Sequence, residues 1–270
     1  MIESLQLTFF SYLLATALLL GYFIRPQRFW VRGGAIVLSV GALANLVALI
    51  VASMKRGHLP VTNLSESLSL LSWVVIVVYL ISSSRRSLPV VGALVSFMAS
   101  IFLLVSFYLP KSATLEPQEL RIFWFPLHIL FSIGGDALLL MASIGGLFYL
   151  LQEYQVKWKH LGLLFKRLPS LEVLDELNYG GLAVGFVLLT LGILSGAIWA
   201  KHAWGVFWSW EIKQTLSFVT GSIYGIVLHG RIFFGWRGRR SALISLLGLA
   251  ALVFSFLAGL FFNLGSHNFS

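Results

Sequence analysis

Eight long apolar runs divide the chain almost end to end: Leu5–Phe23, Gly34–Ala52, Leu64–Ser82, Leu88–Phe107, Leu127–Leu151, Gly181–Trp199, Ile212–Phe233 and Ala242–Phe262. Each has about the ~20 residues that carry a helix across ~30 Å of hydrocarbon. No water in a bilayer core satisfies a bare N–H or C=O, so a spanning segment is either a helix or one strand of a closed barrel. Barrel strands alternate apolar and polar residues, whereas these runs are continuous. The sequence therefore predicts an all-α integral membrane protein with eight transmembrane helices. Only 11% of residues are charged and 58% are hydrophobic, a balance no soluble domain carries. There is no internal repeat or low-complexity tract, so residues 1–270 read as a single polytopic membrane domain.

Lys and Arg orient that domain. The segments after runs one, three, five and seven carry Arg25, Arg28, Arg32, Arg85, Arg86, Lys157, Lys159, Lys166, Arg167, Arg231, Arg237, Arg239 and Arg240. The opposite side holds only Lys55, Arg56, Lys111, Arg121, Lys201 and Lys213. The positive-inside rule then puts both termini on the outer side. The formal charge of +9 is this topological signal, and its dispersal among short loops argues against nucleic acid as a partner. Glu3 precedes the first run and Arg25 follows it, the pattern of a retained helix and not of a cleaved signal peptide. Cysteine is absent, so the chain itself offers neither thiol exchange nor thiolate ligands. The expected location is the inner (plasma) membrane, multi-pass.

Two connections have structure of their own. In the inner link His160–Asn178, LPSLEVLDELN reads as a short helix, N-capped by Ser170 with Glu172 in its first turn, serving as an interfacial lid or packing element. Before the third run, Asn63 and Glu66 have capping-box spacing, a structural reading set against a ligand role for Glu66.

The outer connection after the sixth run is unusual. Trp199, Trp204, Trp208 and Trp210 fall within WAKHAWGVFWSWEIKQT. An interfacial aromatic belt places one or two such rings at a helix end; four in one loop point to a platform for something flat and apolar. Trp204 and Trp208 are four apart and would share one face of a helical turn as a flat shelf, with Trp210 pointing elsewhere.

The six histidines hold most of the metal-binding potential. His58, His128, His202 and His267 belong to the outer side, and His160 to an inner loop. His229 lies seventeen residues past Ile212, ~25 Å along a helix and near the inner edge of the hydrocarbon. An ionisable group at that depth is either a functional ligand or a hydrogen-bonding partner of a neighbouring helix, and position alone leaves both open. His128 and His267 flank the tryptophan loop in sequence. Two neutral imidazoles across a flat ring system resting on tryptophans is bis-His haem ligation, one of the few uses needing all these parts. Asp136, within the fifth run, has two roles open: proton relay or ligand orienter, and pairing with a polar neighbour.

The segment WGVFWSWEIKQT resembles WGxxWxWDPKET, the signature of the haem-handling, tryptophan-rich (WWD-type) family of cytochrome c biogenesis membrane proteins that includes CcsA/ResC, CcmC and CcmF. GHLPVTNLSESLSLLSW, LHILFSI, LDELNYGGLAVGFVLLTLGILSGAIWA, IYGIVLHGR and GSHNFS are similar, in order, to the CcsA-like branch. The resemblance implies that His128 and His267 ligate haem on the outer, periplasmic or extracytoplasmic side. It implies that Trp204, Trp208 and Trp210 form the haem platform. By the same resemblance His229 holds haem b in transit, together with a histidine of a CcsB/ResB-type membrane subunit. Haem then enters from the inner side and is joined to the CxxCH thiols of an apocytochrome c, making the chain a subunit of a haem lyase (synthase). Glu211, Ile212 and Gln214 depart from the signature's Asp, Pro and Glu. They leave room for a HemX-like haem-binding regulator or accessory protein without ligase activity.

Overall fold

The computed structural model describes residues 2–109, 117–159 and 162–261. The described residues form ten helices and no strand: α1 (Ile2–Ile24), α2 (Arg28–Arg56), α3 (Leu64–Arg85), α4 (Pro89–Tyr108), α5 (Pro117–Leu120), α6 (Trp124–Lys157), α7 (Leu163–Arg167), α8 (Leu171–Trp204), α9 (Ile212–Phe233) and α10 (Arg239–Phe261). All but α5 and α7 are long and apolar enough to cross a membrane, as the eight runs predict. The chain is a multi-pass membrane protein.

The one large departure from the sequence reading is α8. LPSLEVLDELN is not a separate short helix; from Leu171 it runs without a break into the sixth span, and α8 reaches 34 residues, about 50 Å. Ser170 caps it as expected, accepting from the Val173 N–H at 3.4 Å. The polar residues that look like a helix end are instead paired sideways. Asp175 takes both guanidinium nitrogens of Arg231 on α9, at 2.8 and 2.5 Å, and the Gly238 N–H at 2.9 Å. Asn178, buried, donates to the Ala142 carbonyl of α6 at 2.8 Å and to Ser245 Oγ of α10 at 2.7 Å, while Ser241 donates back to its Oδ1 at 2.7 Å. Four helices meet at this knot. The short element of the link is α7, four residues upstream of α8.

Lipid tails are as apolar as leucine, so helices in a bilayer associate through close packing and interhelical hydrogen bonds. The α6–α8 contact shows the packing. A Cβ on Gly135 would stand 2.7 Å from the Leu189 backbone nitrogen. One on Gly181 would stand 2.7 Å from the Leu138 carbonyl oxygen, and one on Gly192 would stand 2.6 Å from Ser132 Oγ. The two helices touch backbone to backbone because these positions are bare. Helices α3 and α4 pack against α6, and α1 and α2 pack in turn on α4 and α3, around Tyr12, Leu38, Val75, Val95 and Leu103. Thr16 on α1 and Ser96 on α4 share a buried hydrogen bond of 2.8 Å. Large exposed side chains such as Ile36, Val40, Leu43 and Val47 fall on one face of α2, the face a membrane would cover.

At the start of α3 the expected cap is present. Asn63 Oδ1 accepts from the Glu66 N–H at 3.0 Å, and the Glu66 carboxylate reaches back to the Thr62 N–H at 2.9 Å. Arg56 pairs with the same carboxylate. Glu66 ties the end of α2 to the start of α3.

The glycine contact generates a paired prediction. Gly135→Leu should destabilise the detergent-solubilised protein by roughly 1–3 kcal/mol through overpacking against backbone. Gly180→Ala, where a Cβ meets nothing within 4 Å, should be neutral or mildly stabilising. Thermal unfolding of both variants checks this; equal midpoints would contradict the packing account.

Candidate functional site

Helix α8 ends at Trp204 because Gly205 takes the left-handed conformation, φ 81°, and its N–H bonds back to the Lys201 carbonyl at 3.1 Å. Residues 206–210 are therefore a loop and not a helical turn, and Trp204 and Trp208 do not share a face as a flat shelf. Trp204 turns back onto Trp199, edge to face at 4.8 Å between ring centroids. Trp208 instead meets Trp210 at 5.9 Å and Phe218 of α9 at 6.3 Å, both edge to face. Trp210 has φ 58°, costly for so bulky a residue, and its ring is largely exposed. The Trp208 indole N–H is buried with no hydrogen-bond partner among the described residues. Lys201 caps the end of α8, its Nζ donating to the Gly205 carbonyl at 2.7 Å.

Glu211 precedes α9 at its N-cap position without making a side-chain cap bond. Gln214, at the third helical position, does the work of closing the loop: its Oε1 accepts from Ser209 N–H at 2.9 Å and Ser209 Oγ at 3.2 Å.

His128 sits in the first turns of α6, against α8. Its Nδ1 lies 2.8 Å from the Gly192 carbonyl, which can only accept, so Nδ1 carries the proton. Nε2 then keeps its lone pair, the state of a metal-ligating imidazole oriented by a backbone carbonyl. Trp199 lies parallel to the imidazole, 6° between planes and 6.2 Å between centroids. Gly196 makes room for the ring: a Cβ there would stand 2.6 Å from His128 Nδ1. Lys213, near the start of α9, is within electrostatic reach of both His128 and Asp136. Asp136 has no ion-pair or hydrogen-bond partner within 4 Å among the described residues, so the pairing with a polar neighbour left open for it does not take the form of a direct bond.

His229 lies toward the opposite end of the bundle. It is exposed on the outward face of α9 and beds against Phe233 at 4.4 Å and Phe234 at 5.9 Å. A pocket of about 340 Å³ is lined there by Ser222, Gly225, Ile226, His229, Phe234 and Trp236. Arg231, two residues on, is fixed by Asp175 and covers the Tyr179 ring at 4.5 Å. The structure thus joins His128 to Trp199 and Trp204, gathers Trp208 and Trp210 beside them in the chain, and sets His229 apart. His267 lies outside the described residues, as does His160. His58 and His202 are tied to nearby carbonyls, Leu59 and Ile198, away from these groups. Sequence reasoning missed Trp199 as the ring against His128, although G-x-x-x-G spacing at Gly192 and Gly196 marks the close approach that brings them together.

The family model described as cytochrome C assembly protein matches residues 61–267. The chain belongs to the cytochrome c assembly family. The cytochrome c biogenesis protein CcsA of Prochlorococcus marinus (strain MIT 9303) is 33% identical over 280 residues, covering 90% of this chain and 88% of that protein. CcsA of Chlamydomonas reinhardtii is 32% identical over 242 residues, covering 87% of this chain and 67% of that one. The structure of the cytochrome c haem lyase CcmF has the same fold, with a TM-score of 0.65 at 19% identity, over 95% of this chain and 49% of that one. The stretch matched by the cytochrome c assembly family contains His128, the tryptophan loop, His229 and His267; α1 and α2 precede it.

The departures from the family signature all fall on the start of α9. Asp at the N-cap, Pro at the first helical position and Glu at the third are helix-start residues. The backbone at Glu211, φ −59° and ψ 152°, already suits a residue before proline. Glu211→Asp with Ile212→Pro should therefore raise stability by about 1 kcal/mol in total. An unchanged or lowered thermal midpoint would show that this helix start is not limited by its cap.

Proposed function

We propose that the protein serves cytochrome c assembly by holding haem at the tryptophan end of the bundle and presenting it to apocytochrome c. The observation that carries the reading is His128: one ring nitrogen is committed to the Gly192 carbonyl, the ring is backed by Trp199, and Nε2 is left as a ligand. In this reading His267 supplies the second axial nitrogen and Trp204, Trp208 and Trp210 bound the macrocycle. Lys213 balances propionate charge. The hard chemistry belongs to the haem vinyl groups and the CxxCH thiols; this chain's residues bind, orient and exclude water. His229 holds haem b on its way from the inner side. Its pocket opens on the outward face of α9 and offers a single imidazole, so the second ligand comes from another subunit, of the CcsB/ResB type. The tryptophan end faces the periplasmic or extracytoplasmic side of the inner (plasma) membrane, both termini with it, a reading that the distribution of Lys and Arg supports.

A second reading rests on the altered helix start: a haem-binding regulator or accessory protein without ligase activity. Deletion separates the two. Loss of c-type cytochromes supports the first, and normal cytochrome c maturation with altered haem synthesis supports the second.

Protein purified in detergent should carry low-spin, bis-His haem. His128→Ala with His267→Ala should abolish that absorption signature. A double variant with full haem content and an unchanged spectrum would sink the reading.

A further inference from the structure

Glu119 stands on α5, outside the residues that either the sequence pattern or the family signature picks out. It holds two tryptophans at once. Its backbone carbonyl accepts the Trp199 indole N–H at 3.1 Å, and its carboxylate Oε1 accepts the Trp204 indole N–H at 2.7 Å. Trp204 abuts Trp199 edge to face, and Trp199 lies parallel to the His128 ring. Phe125, buried on α6, closes the cluster from the other side at 5.4 Å from Trp199.

The imidazole of His128 has two rotational freedoms. The Nδ1 bond to the Gly192 carbonyl fixes one point of the ring, but leaves it free to tilt about that bond. Trp199, parallel to the imidazole with 6.2 Å between centroids, is the ring placed to limit that tilt. Trp199 is held in turn by the Glu119 carbonyl and by Trp204, and Trp204 is held by the Glu119 carboxylate. An N–H bond to an ionised acceptor is shorter and roughly twice as strong as a neutral one, so the carboxylate is an effective anchor.

We infer that Glu119 is a positioning residue that sets the plane of the His128 imidazole through Trp204 and Trp199. The inference rests on His128 being a haem ligand. With the plane set, the ligand nitrogen is presented in one orientation before haem arrives; with the anchor gone, the ring samples several. Glu119 never touches the ligand itself.

The test uses full-length purified protein. The outer-site signal is the low-spin ferric haem resonance that His128→Ala removes. Its g values report the orientation of the axial imidazole planes, a property that a merely structural residue would not move. Glu119→Ala should shift or broaden those g values and speed haem loss to apomyoglobin by roughly tenfold, the size of one lost charge-assisted hydrogen bond. Glu119→Gln keeps a neutral acceptor at the same place and should fall between wild type and Glu119→Ala. Trp204→Phe keeps the ring but not the N–H and should reproduce Glu119→Ala. The two changes combined should be no worse than either alone.

Glu119→Ala and Trp204→Phe with wild-type g values and haem loss would overturn the positioning role while the haem reading stood. A signal that survives His128→Ala would instead overturn the haem reading, and the inference with it.

Discussion

The backbone contact between α6 and α8 is the constraint on which the rest of the molecule depends. In a bilayer, apolar side chains gain nothing from leaving lipid for protein, so a helix pair is held by how closely its main chains approach. Here the approach is so close that a single methyl group at Gly135, Gly181 or Gly192 would collide with the facing helix. The same approach makes the candidate site. Only because α8 comes this near does the Gly192 carbonyl fall within 2.8 Å of His128 Nδ1, and only because Gly196 is bare is there room for the ring. Fold and site share one set of glycines, so a substitution there cannot affect stability alone.

Helix α8 also links the two ends of the molecule. At one end it carries Trp199 and Trp204 beside His128; at the other it carries Asp175, which fixes Arg231 two residues from His229. Both histidine environments are therefore referenced to one rigid rod of 34 residues. The environments differ in kind. His128 is backed by tryptophan and hydrogen-bonded to backbone within the bundle, whereas His229 stands exposed among phenylalanines on the outside of α9.

Much of this was legible in the sequence, because the length of an apolar run and the chemistry of a helix cap are local properties. The eight spans, the Ser170 cap and the Asn63–Glu66 cap all follow from residues within a few positions of one another. The family too was legible, since its motifs are contiguous. What could not be read depends on partners distant in sequence. LDELN looks like a helix end until Arg231, Ser241 and Ser245 are seen to satisfy it from other helices. The spacing of Trp204 and Trp208 suggests one face until Gly205 breaks the helix between them. Glu119 gives no signal at all, being one acidic residue on the short helix α5, some eighty positions from the rings it holds.

The departures at Glu211, Ile212 and Gln214 bear on function less directly than their place in the signature suggests. Asp, Pro and Glu at those positions are what a helix needs in order to start cleanly after a tight loop. In this chain Glu211 makes no cap bond and Ile212 lacks the fixed φ of proline, yet Gln214 Oε1 still reaches back and accepts from both the N–H and the Oγ of Ser209. The loop is closed by the departure at Gln214, whose amide keeps an acceptor oxygen. The aromatic residues of the signature, Trp204, Trp208 and Trp210, are all present, and Trp210 is held in the left-handed conformation, its carbonyl accepting from Thr215 Oγ1 at 3.3 Å. The altered residues therefore change how firmly α9 begins, while the side chains that would meet a flat ligand stay the same. Weaker capping predicts a looser tryptophan loop, and a looser loop lowers affinity for whatever lies on it without altering the chemistry available there.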